Sequence, residues 1–316
     1  MTSEYKVAVI VPTLNEEKYI ATCVQSVYEQ TFPFDEMEII IADGGSTDRT
    51  CEIVREMGVK WPNVRLIPNP KRIQSCGFNV GVRESTAPIV IRLDAHATYE
   101  KTYIERCVSH LQQDETIGNT GGRCIIEPAN GTLMARANAI LNRSRFGIGG
   151  SDFRVGTVAR ESDTVPFGAF RREVIDKIGG MREDLPRGED NEYNSRIRKA
   201  GYRIWFDPEI ISTYFARPTL ASSAKQMYNN GLSIGWLLKI DRASLGLRHL
   251  VPLLFVISIP VTLGLSMLLY LIVAILADVS ICSKEGKEYF FPFLILFPAI
   301  HLSYGWGTII GLIQKK

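Results

Sequence analysis

Four short polar clusters in this 316-residue sequence carry side chains able to do chemistry: P-T-L-N-E-E at Pro12–Glu17, D-G-G-S-T-D at Asp43–Asp48, D-A-H at Asp94–His96 and G-E-D at Gly188–Asp190. A D-x-H triplet behind an apolar run can hold a divalent cation, which draws charge off a departing phosphate. Gly44 and Gly45 let the backbone turn sharply beside a ligand. Each cluster also has an ordinary reading on its own. The first two fit strand-end turns with helix caps, and His96 fits a structural hydrogen bond. Acids at Glu189 and Asp190 fit a helix N-terminus, where the macrodipole favours them.

The elements around these clusters give them a common location. Lys6–Pro12, Glu38–Ala42, Val64–Ile67 and Ile89–Leu93 are apolar, strand-like runs. Helix patterns separate them: one with Ile20, Cys23, Val24 and Val27 on one face, one stopping near Gly58, one over Ile73–Glu84, and one at Lys101–Gln113 after the fourth strand. Thr13 and Glu16 have capping-box spacing ahead of the first helix. Ser46, Thr47 and Asp48 are cap-type residues ahead of the second. Such alternation predicts βαβ units and a mostly parallel sheet. Ligands in these sheets sit beyond the carboxyl ends of the strands, where the first three clusters fall together. Between Gly121 and Asp163 the pattern weakens, and its glycines, including Gly147, Gly149 and Gly150, predict a mobile segment or lid.

The remainder changes character. Hydrophobic residues make up 46% of the chain, with the excess concentrated after residue 249. Residues 250–277 carry no charge, and as a helix they would extend about 42 Å against a hydrocarbon core of roughly 30 Å. Pro252 and Pro260 are expected to let part of this span kink or lie at the interface. Residues 289–313 form a second apolar stretch, with the loop Asp278–Glu288 between the two. Lys239, Arg242 and Arg248 precede the pair, and Lys315 and Lys316 follow it, so the positive-inside rule predicts a hairpin with both flanks in the cytoplasm. Leu220–Leu247 mixes Trp236 and leucines with Lys225, Lys239 and Arg242, as an interfacial helix does. Gly307 and Gly311 have the spacing of a helix-packing pair.

The six cysteines include no C-x-x-C pair, which argues against zinc or a disulfide framework. Reduced thiols in a cytosolic domain are expected. The start MTSEYK is not a secretory signal. A net charge of +2 selects no partner class, and no nucleic-acid partner is expected.

V-I-V-P-T-L-N-E-E (Val9–Glu17) with A-D-G-G-S-T-D (Ala42–Asp48) resembles the opening strand and loops of family 2 glycosyltransferases. The resemblance covers most of residues 6–215 and implies a GT-A fold, a Rossmann-like α/β domain. It implies a donor site built by Pro12, Thr13, Asn15, Glu16 and Asp43, with a uracil imide N–H given to the Asp43 carboxylate. I-R-L-D-A-H occupies the position of the family's D-x-D and makes Asp94 and His96 the metal candidates, for Mn²⁺ or Mg²⁺. Imidazole is a poor Mg²⁺ ligand. His96 therefore either favours Mn²⁺ or touches phosphate while Asp94 holds the ion. G-E-D resembles the family's E-D motif, which makes Asp190 the base of an inverting transfer and Glu189 its neighbour. V-P-F-G-A-F-R-R-E-V resembles the acceptor-side segment, with Phe167, Gly168 and Ala169 as a wall of the site. Arg171 and Arg172 are candidates either for an anionic acceptor or for solvated surface. Arg72 and Arg123, near strand ends, are pyrophosphate candidates.

K-Q-M-Y-N-N-G (Lys225–Gly231) stands where processive synthases carry Q-x-x-R-W, which argues against a processive enzyme. H-L-S-Y-G-W-G (His301–Gly307) resembles the last span of the succinoglycan glucosyltransferase branch. The expectation is a catalytic domain over 1–217, an interfacial segment over 218–249 and a transmembrane hairpin over 250–316, at the plasma membrane. Its partners would be a UDP-sugar such as UDP-glucose and a polyprenyl-linked saccharide. Two alternatives stay open: transfer onto polyprenyl phosphate itself, and a non-catalytic nucleotide-sugar-binding subunit.

Overall fold

A computed structural model describes residues 5–148 and 150–314. Gly149, Lys315, Lys316 and the first four residues of MTSEYK lie outside the described residues. In chain order the elements are β1 (Val7–Thr13), α1 (Ile20–Tyr28), β2 (Met37–Asp43), α2 (Thr50–Lys60), β3 (Val64–Pro68), α3 (Gln74–Arg83), β4 (Ile89–Arg92), β5 (Ala97–Tyr99), α4 (Tyr103–Gln113) and β6 (Ile117–Pro128). There follow α5 (Leu133–Arg143), α6 (Asp152–Val155), β7 (Arg160–Glu161), β8 (Ala169–Arg171), α7 (Arg172–Ile178), α8 (Glu189–Lys199) and β9 (Arg203–Ala216). The chain ends with α9 (Leu220–Ile240), α10 (Val251–Val261), α11 (Leu265–Glu285) and α12 (Phe290–Ile313). They form two compact units: residues 1–125 with 156–214, and residues 126–155 with 215–316.

The first unit is built on one sheet. Its path runs β3-β2-β1-β4-β8-β6-β9-β5, with β7 on β9, so the described residues hold nine strands. β1 pairs in parallel with β2 and β4, and β2 with β3, as the alternating pattern predicts. The parallel arrangement stops at β4. β8 pairs antiparallel with β4 and β6, and β9 with β5 and β7. Apolar β1 and β2 are almost wholly buried, as strands covered on both faces must be. On α1 the buried set is Ile20, Cys23, Val24 and Val27, the face that the helical period selects.

Local expectations fail where tertiary contacts take over. Thr13 belongs to β1 and does not cap α1, which starts at Ile20 behind Tyr19 without a side-chain cap. The Glu16 backbone N–H instead donates to Thr50 Oγ1 at 2.8 Å, tying the first loop to α2. The α2 helix continues past Gly58 to Lys60. The glycine-rich stretch Gly121–Asp163, expected as a mobile segment or lid, holds most of β6 together with α5, α6 and β7. Gly147 serves close approach there: a Cβ on it would strike the Leu141 carbonyl.

The second unit is helical. Phe293, Phe297 and Ile300 of α12 pack with Ala137 and Leu141 of α5 and Met227 of α9 in an apolar cluster. Helices α9 and α12 meet backbone to backbone. A Cβ on Gly231 would collide with the Tyr304 carbonyl, and one on Gly311 with the Leu232 carbonyl. The expected Gly307–Gly311 pair is therefore matched by Gly231 and Gly235, a second G-x-x-x-G pair on the partner helix. The Lys239 ammonium donates to the carbonyls of Gly311 (2.8 Å), Leu312 (3.3 Å) and Gln314 (2.6 Å), closing the end of α12.

The first apolar stretch is divided. Leu263 (φ 50°) and Gly264 (φ 87°) end α10 and reverse the chain into α11, which runs through Asp278 to Glu285. Among the described residues two helices are long and apolar enough to cross a membrane, Leu265–Glu285 (mean hydropathy 2.4) and Lys287–Ile313 (mean hydropathy 1.5). Replacing Gly231 with Leu should destabilise the helical unit by about 2–3 kcal/mol, because neither backbone can retreat. Thermal unfolding in detergent should register that loss, with Gly131→Ala unchanged, since nothing lies within 4 Å of a Cβ at Gly131.

Candidate active site

The end of β4 sets the centre of the site. Strand I-V-I-R places Arg92 in the sheet interior, 4% exposed. A guanidinium cannot stay there unpaired. Its Nη1 donates to both Asp190 oxygens, at 2.8 and 3.0 Å. Its Nη2 donates to Asp94 Oδ1 at 3.0 Å and lies 3.8 Å from Glu189 Oε1. Arg92 Nε has no hydrogen-bond partner. One buried cation thus gathers the D-A-H cluster and the G-E-D cluster, 98 residues apart along the chain for Arg92 and Asp190.

The carboxylates in this group differ in environment. Asp190 opens to solvent, with its side chain 40% exposed, at the first turn of α8. Gly188, ahead of that helix, takes a left-handed backbone (φ 83°) that turns both acids toward β4. Glu189 is 5% exposed. Burial, followed by the adjacent Asp190 charge, pushes its pKa up to about 7 against the pull of Arg92. Arg92 is held protonated more firmly than a free arginine: its three acids outweigh the cost of burial.

Asp94 is fixed from several sides. Its Oδ1 accepts Gln74 Nε2 at 2.5 Å, and its backbone N–H donates to the Tyr99 hydroxyl at 2.8 Å. His96 Nδ1 lies 3.1 Å from Glu16 Oε1, and its ring meets Tyr214 edge-on. Among the described residues no three His, Cys, Asp or Glu side chains converge as a metal cage. A cation here would have the Asp94 carboxylate as its protein ligand and would need substrate phosphate oxygens and water to complete its shell.

The two N-terminal loops are stitched to each other. Asn15 (φ 58°) donates its N–H to Ser46 Oγ at 2.8 Å, and its Oδ1 accepts the Thr47 N–H at 2.8 Å. Asp43 Oδ2 accepts the N–H groups of Gly45 (2.8 Å) and Ser46 (2.9 Å), and Oδ1 accepts the Ser46 hydroxyl at 2.5 Å. Burial would raise the Asp43 pKa, but these donors outweigh it and hold the carboxyl below its usual value. Arg72 (φ 59°) donates to the Gly44 carbonyl at 2.7 Å and the Gly45 carbonyl at 3.0 Å. Beside them opens a pocket of about 580 Å³, lined by Asp43, Gly45, Arg55, Leu66, Asn69 and Arg72 among others. Its size suits a nucleobase and ribose.

Other predicted residues fall on either side of this geometry. Phe167 (φ 48°, 6% exposed), Gly168 and Ala169 run beside β4: the Gly168 carbonyl accepts the Arg92 N–H at 3.0 Å, and Ala169 pairs with Ile91. Pro12 and Thr13 end β1 opposite Ala42 and Asp43. Arg123 lies within β6, with its buried Nε unpaired, and no hydrogen bond joins it to Asp43 or Asp94. Arg171 and Arg172 are partly buried and bonded to backbone carbonyls. Arg171 donates to the carbonyls of Leu111, Ile117 and Asp114, and Arg172 to those of Ala87 and Val82. Arg92 and Gln74 escaped the sequence reading. The signal for Arg92 was a charge inside an otherwise apolar strand.

Comparison with known proteins gives this geometry a family. The pattern of Glycosyl transferase family 2 matches residues 8–179. The succinoglycan biosynthesis protein ExoA of Rhizobium meliloti is 33% identical over 78% of this chain and 74% of its own. The chain belongs to glycosyltransferase family 2. A second relative is 27% identical over 98% of this chain and 97% of its own. It is the dolichyl N-acetyl-α-D-glucosaminyl phosphate 3-β-D-2,3-diacetamido-2,3-dideoxy-β-D-glucuronosyltransferase of Methanococcus voltae. Among solved structures, the mannosyltransferase PcManGT from Pyrobaculum calidifontis, in complex with GDP-Man and Mn²⁺, aligns with TM-score 0.67 at 19% identity. That alignment covers 98% of this chain and 88% of the other. The fold is therefore the GT-A fold of this glycosyltransferase family, followed by two apolar helices that form a candidate membrane hairpin.

Replacing Arg92 with Met leaves three acids around an apolar gap, and about 3–5 kcal/mol of stability should be lost. Lysine at the same position should restore part of it, as denaturant unfolding of the three proteins would measure. Glu189 gives a pH signature. Its folded pKa of about 7 exceeds the ordinary carboxyl value near 4.5, so the folded state binds more protons between them. Its stabilising contribution is full below the lower value and is lost as pH rises through about 7. Glu189→Gln in the metal-free protein should flatten the unfolding free energy over that window, and an unchanged slope would refute the assignment.

Proposed function

We propose that this enzyme moves one sugar, with inversion, from a nucleotide-diphosphate donor to a lipid-linked saccharide during surface polysaccharide assembly. The observation that carries the reading is the single guanidinium that holds Asp94 and the solvent-open Asp190 on one edge of the sheet. Inverting transfer needs a carboxylate near the acceptor hydroxyl, across the sugar from the diphosphate. Asp190 would accept the acceptor's proton. Glu189, kept largely neutral by burial below about pH 7, would limit the negative charge beside it. Phe167, Gly168 and Ala169 would form the acceptor wall.

The donor is a UDP-hexose, UDP-glucose being the leading candidate. The pocket at Asp43 and Arg72 would take the uridine, with Pro12, Thr13, Asn15 and Glu16 along its near side and Arg123 toward the diphosphate. Asp94, with His96 next to it, would hold a divalent cation, Mn²⁺ or Mg²⁺. When bound, that cation draws charge off the leaving diphosphate. The names of the Methanococcus and Rhizobium relatives support a lipid-linked saccharide acceptor and a surface polysaccharide product. The catalytic unit and both termini would lie on the cytoplasmic face of the plasma membrane.

The test is UDP release by detergent-solubilised protein across a panel of UDP-sugars, with either metal, comparing a lipid-linked saccharide with bare polyprenyl phosphate. One UDP-sugar should respond, more with the saccharide. Asp190→Asn should cut transfer by about 10²–10⁴-fold while UDP affinity stays within a few-fold. Parallel loss of both would remove Asp190 from the role of base.

A further inference from the structure

The two oxygens of Asp94 stand in different surroundings. Oδ1 accepts Arg92 Nη2 at 3.0 Å and Gln74 Nε2 at 2.5 Å. A carboxylate oxygen offers two lone-pair sites, so these two donors fill it. Oδ2 makes no hydrogen bond among the described residues, and the side chain is 15% exposed. The carboxylate therefore presents one saturated oxygen and one open oxygen.

Arg92 does not set this asymmetry alone. Its Nη1 is taken by both oxygens of Asp190, and its Nη2 is shared between Asp94 and the neighbourhood of Glu189. Gln74 reaches Asp94 from another element, as the first residue of α3. A carboxylate only accepts, so the amide group turned toward it is the amino group, and chemistry fixes the Gln74 orientation.

The residues just before Gln74 frame the pocket at Asp43. The Asn69 N–H donates to the Asp43 carbonyl at 2.7 Å, and the Arg72 N–H to the Asn69 carbonyl at 3.0 Å. Asn69 Nδ2 donates to the Ile73 carbonyl at 3.0 Å. Asn69 and Arg72 both line the pocket. The loop is thus tied to the end of β2, and the residue that follows it holds the acid beyond the end of β4. Gln74 is the hydrogen-bonded link between the pocket and Asp94.

We propose that Gln74 is a positioning residue for the cation site: with Arg92 it fills Asp94 Oδ1 and leaves Oδ2 as the one oxygen open to a cation, which favours Mn²⁺ or Mg²⁺ over Ca²⁺. The inference rests on Asp94 being the cation ligand. Calcium takes six to eight oxygens and often two from one carboxylate, whereas Mg²⁺ demands a compact octahedron to which a carboxylate gives one oxygen. Groups that orient a metal ligand commonly carry about 10–100-fold in metal affinity.

Gln74→Met keeps the length of the side chain and removes the donor. The measurement is the UDP dissociation constant of the detergent-solubilised full chain, by calorimetry, in EDTA, Mn²⁺ or Ca²⁺. The factor by which a cation tightens UDP reports its coupling to the site. In the parent chain Mn²⁺ should tighten UDP more than Ca²⁺ does. In Gln74→Met the Mn²⁺ factor should fall by about 10-fold or more, the Mn²⁺ preference over Ca²⁺ should shrink, and the affinity in EDTA should match that of the parent. An undiminished Mn²⁺ factor in Gln74→Met would overturn the role of Gln74 and leave Asp94 as cation ligand. Weaker UDP binding in EDTA would make Gln74 a structural residue of the pocket and also overturn it. Equal tightening by Ca²⁺ and Mn²⁺ in the parent would overturn the single-oxygen site without any variant. No tightening by either cation in the parent would remove the cation reading itself, and the proposal with it.

Discussion

A single buried guanidinium sets the order of the catalytic unit. Arg92 is buried at the end of β4, where an unpaired cation is not tolerable, and its partners are the acids to which the proposed chemistry is assigned. Two opposing demands meet at this point. Desolvation penalises the cation, and the acids would repel one another without it. The compromise fixes the start of α8 against the end of β4 and so determines where Asp190 stands relative to Asp94. It also separates two adjacent carboxyls into different states. Asp190 receives both hydrogen bonds of Arg92 Nη1 and faces solvent, while Glu189 is buried behind it and resists ionisation.

The donor side works by a different economy, through backbone rather than buried charge. Asp43 is largely occupied with its own turn, accepting two N–H groups and a hydroxyl. Arg72 likewise spends its donors on the carbonyls of Gly44 and Gly45. Both residues therefore shape the rim of the pocket that is the proposed nucleotide site. Such preorganisation lowers the ordering cost of binding.

In the helical unit the governing contact is between backbones. Glycines at 231, 235, 307 and 311 remove the side chains that would hold α9 away from α12. Lys239 then satisfies carbonyls at the end of α12 that no helical N–H can reach. The result is an apolar helix with polar companions along it.

Much of the catalytic unit was legible in the sequence. Alternating apolar runs and helical periods reported β1–β4 and α1–α4 because those signals depend on local burial alone. The motifs at Pro12–Glu17, Asp43–Asp48, Asp94–His96 and Gly188–Asp190 reported the family for the same reason: each is short and contiguous. What tertiary structure alone decided are the long-range pairings. The antiparallel half of the sheet, the capture of Asp190 by Arg92, the inward turn of Arg171 and Arg172 onto carbonyls, and the docking of Phe146 against Phe297 join residues far apart in the chain. Composition did not show that Gly147 makes a close approach to the Leu141 carbonyl. It misled at residues 250–277, where a left-handed turn at Leu263 and Gly264 divides what hydropathy reads as one continuous span. Hydropathy sums over a window, whereas a reversal is set by two backbone angles and by the surfaces they bring into contact.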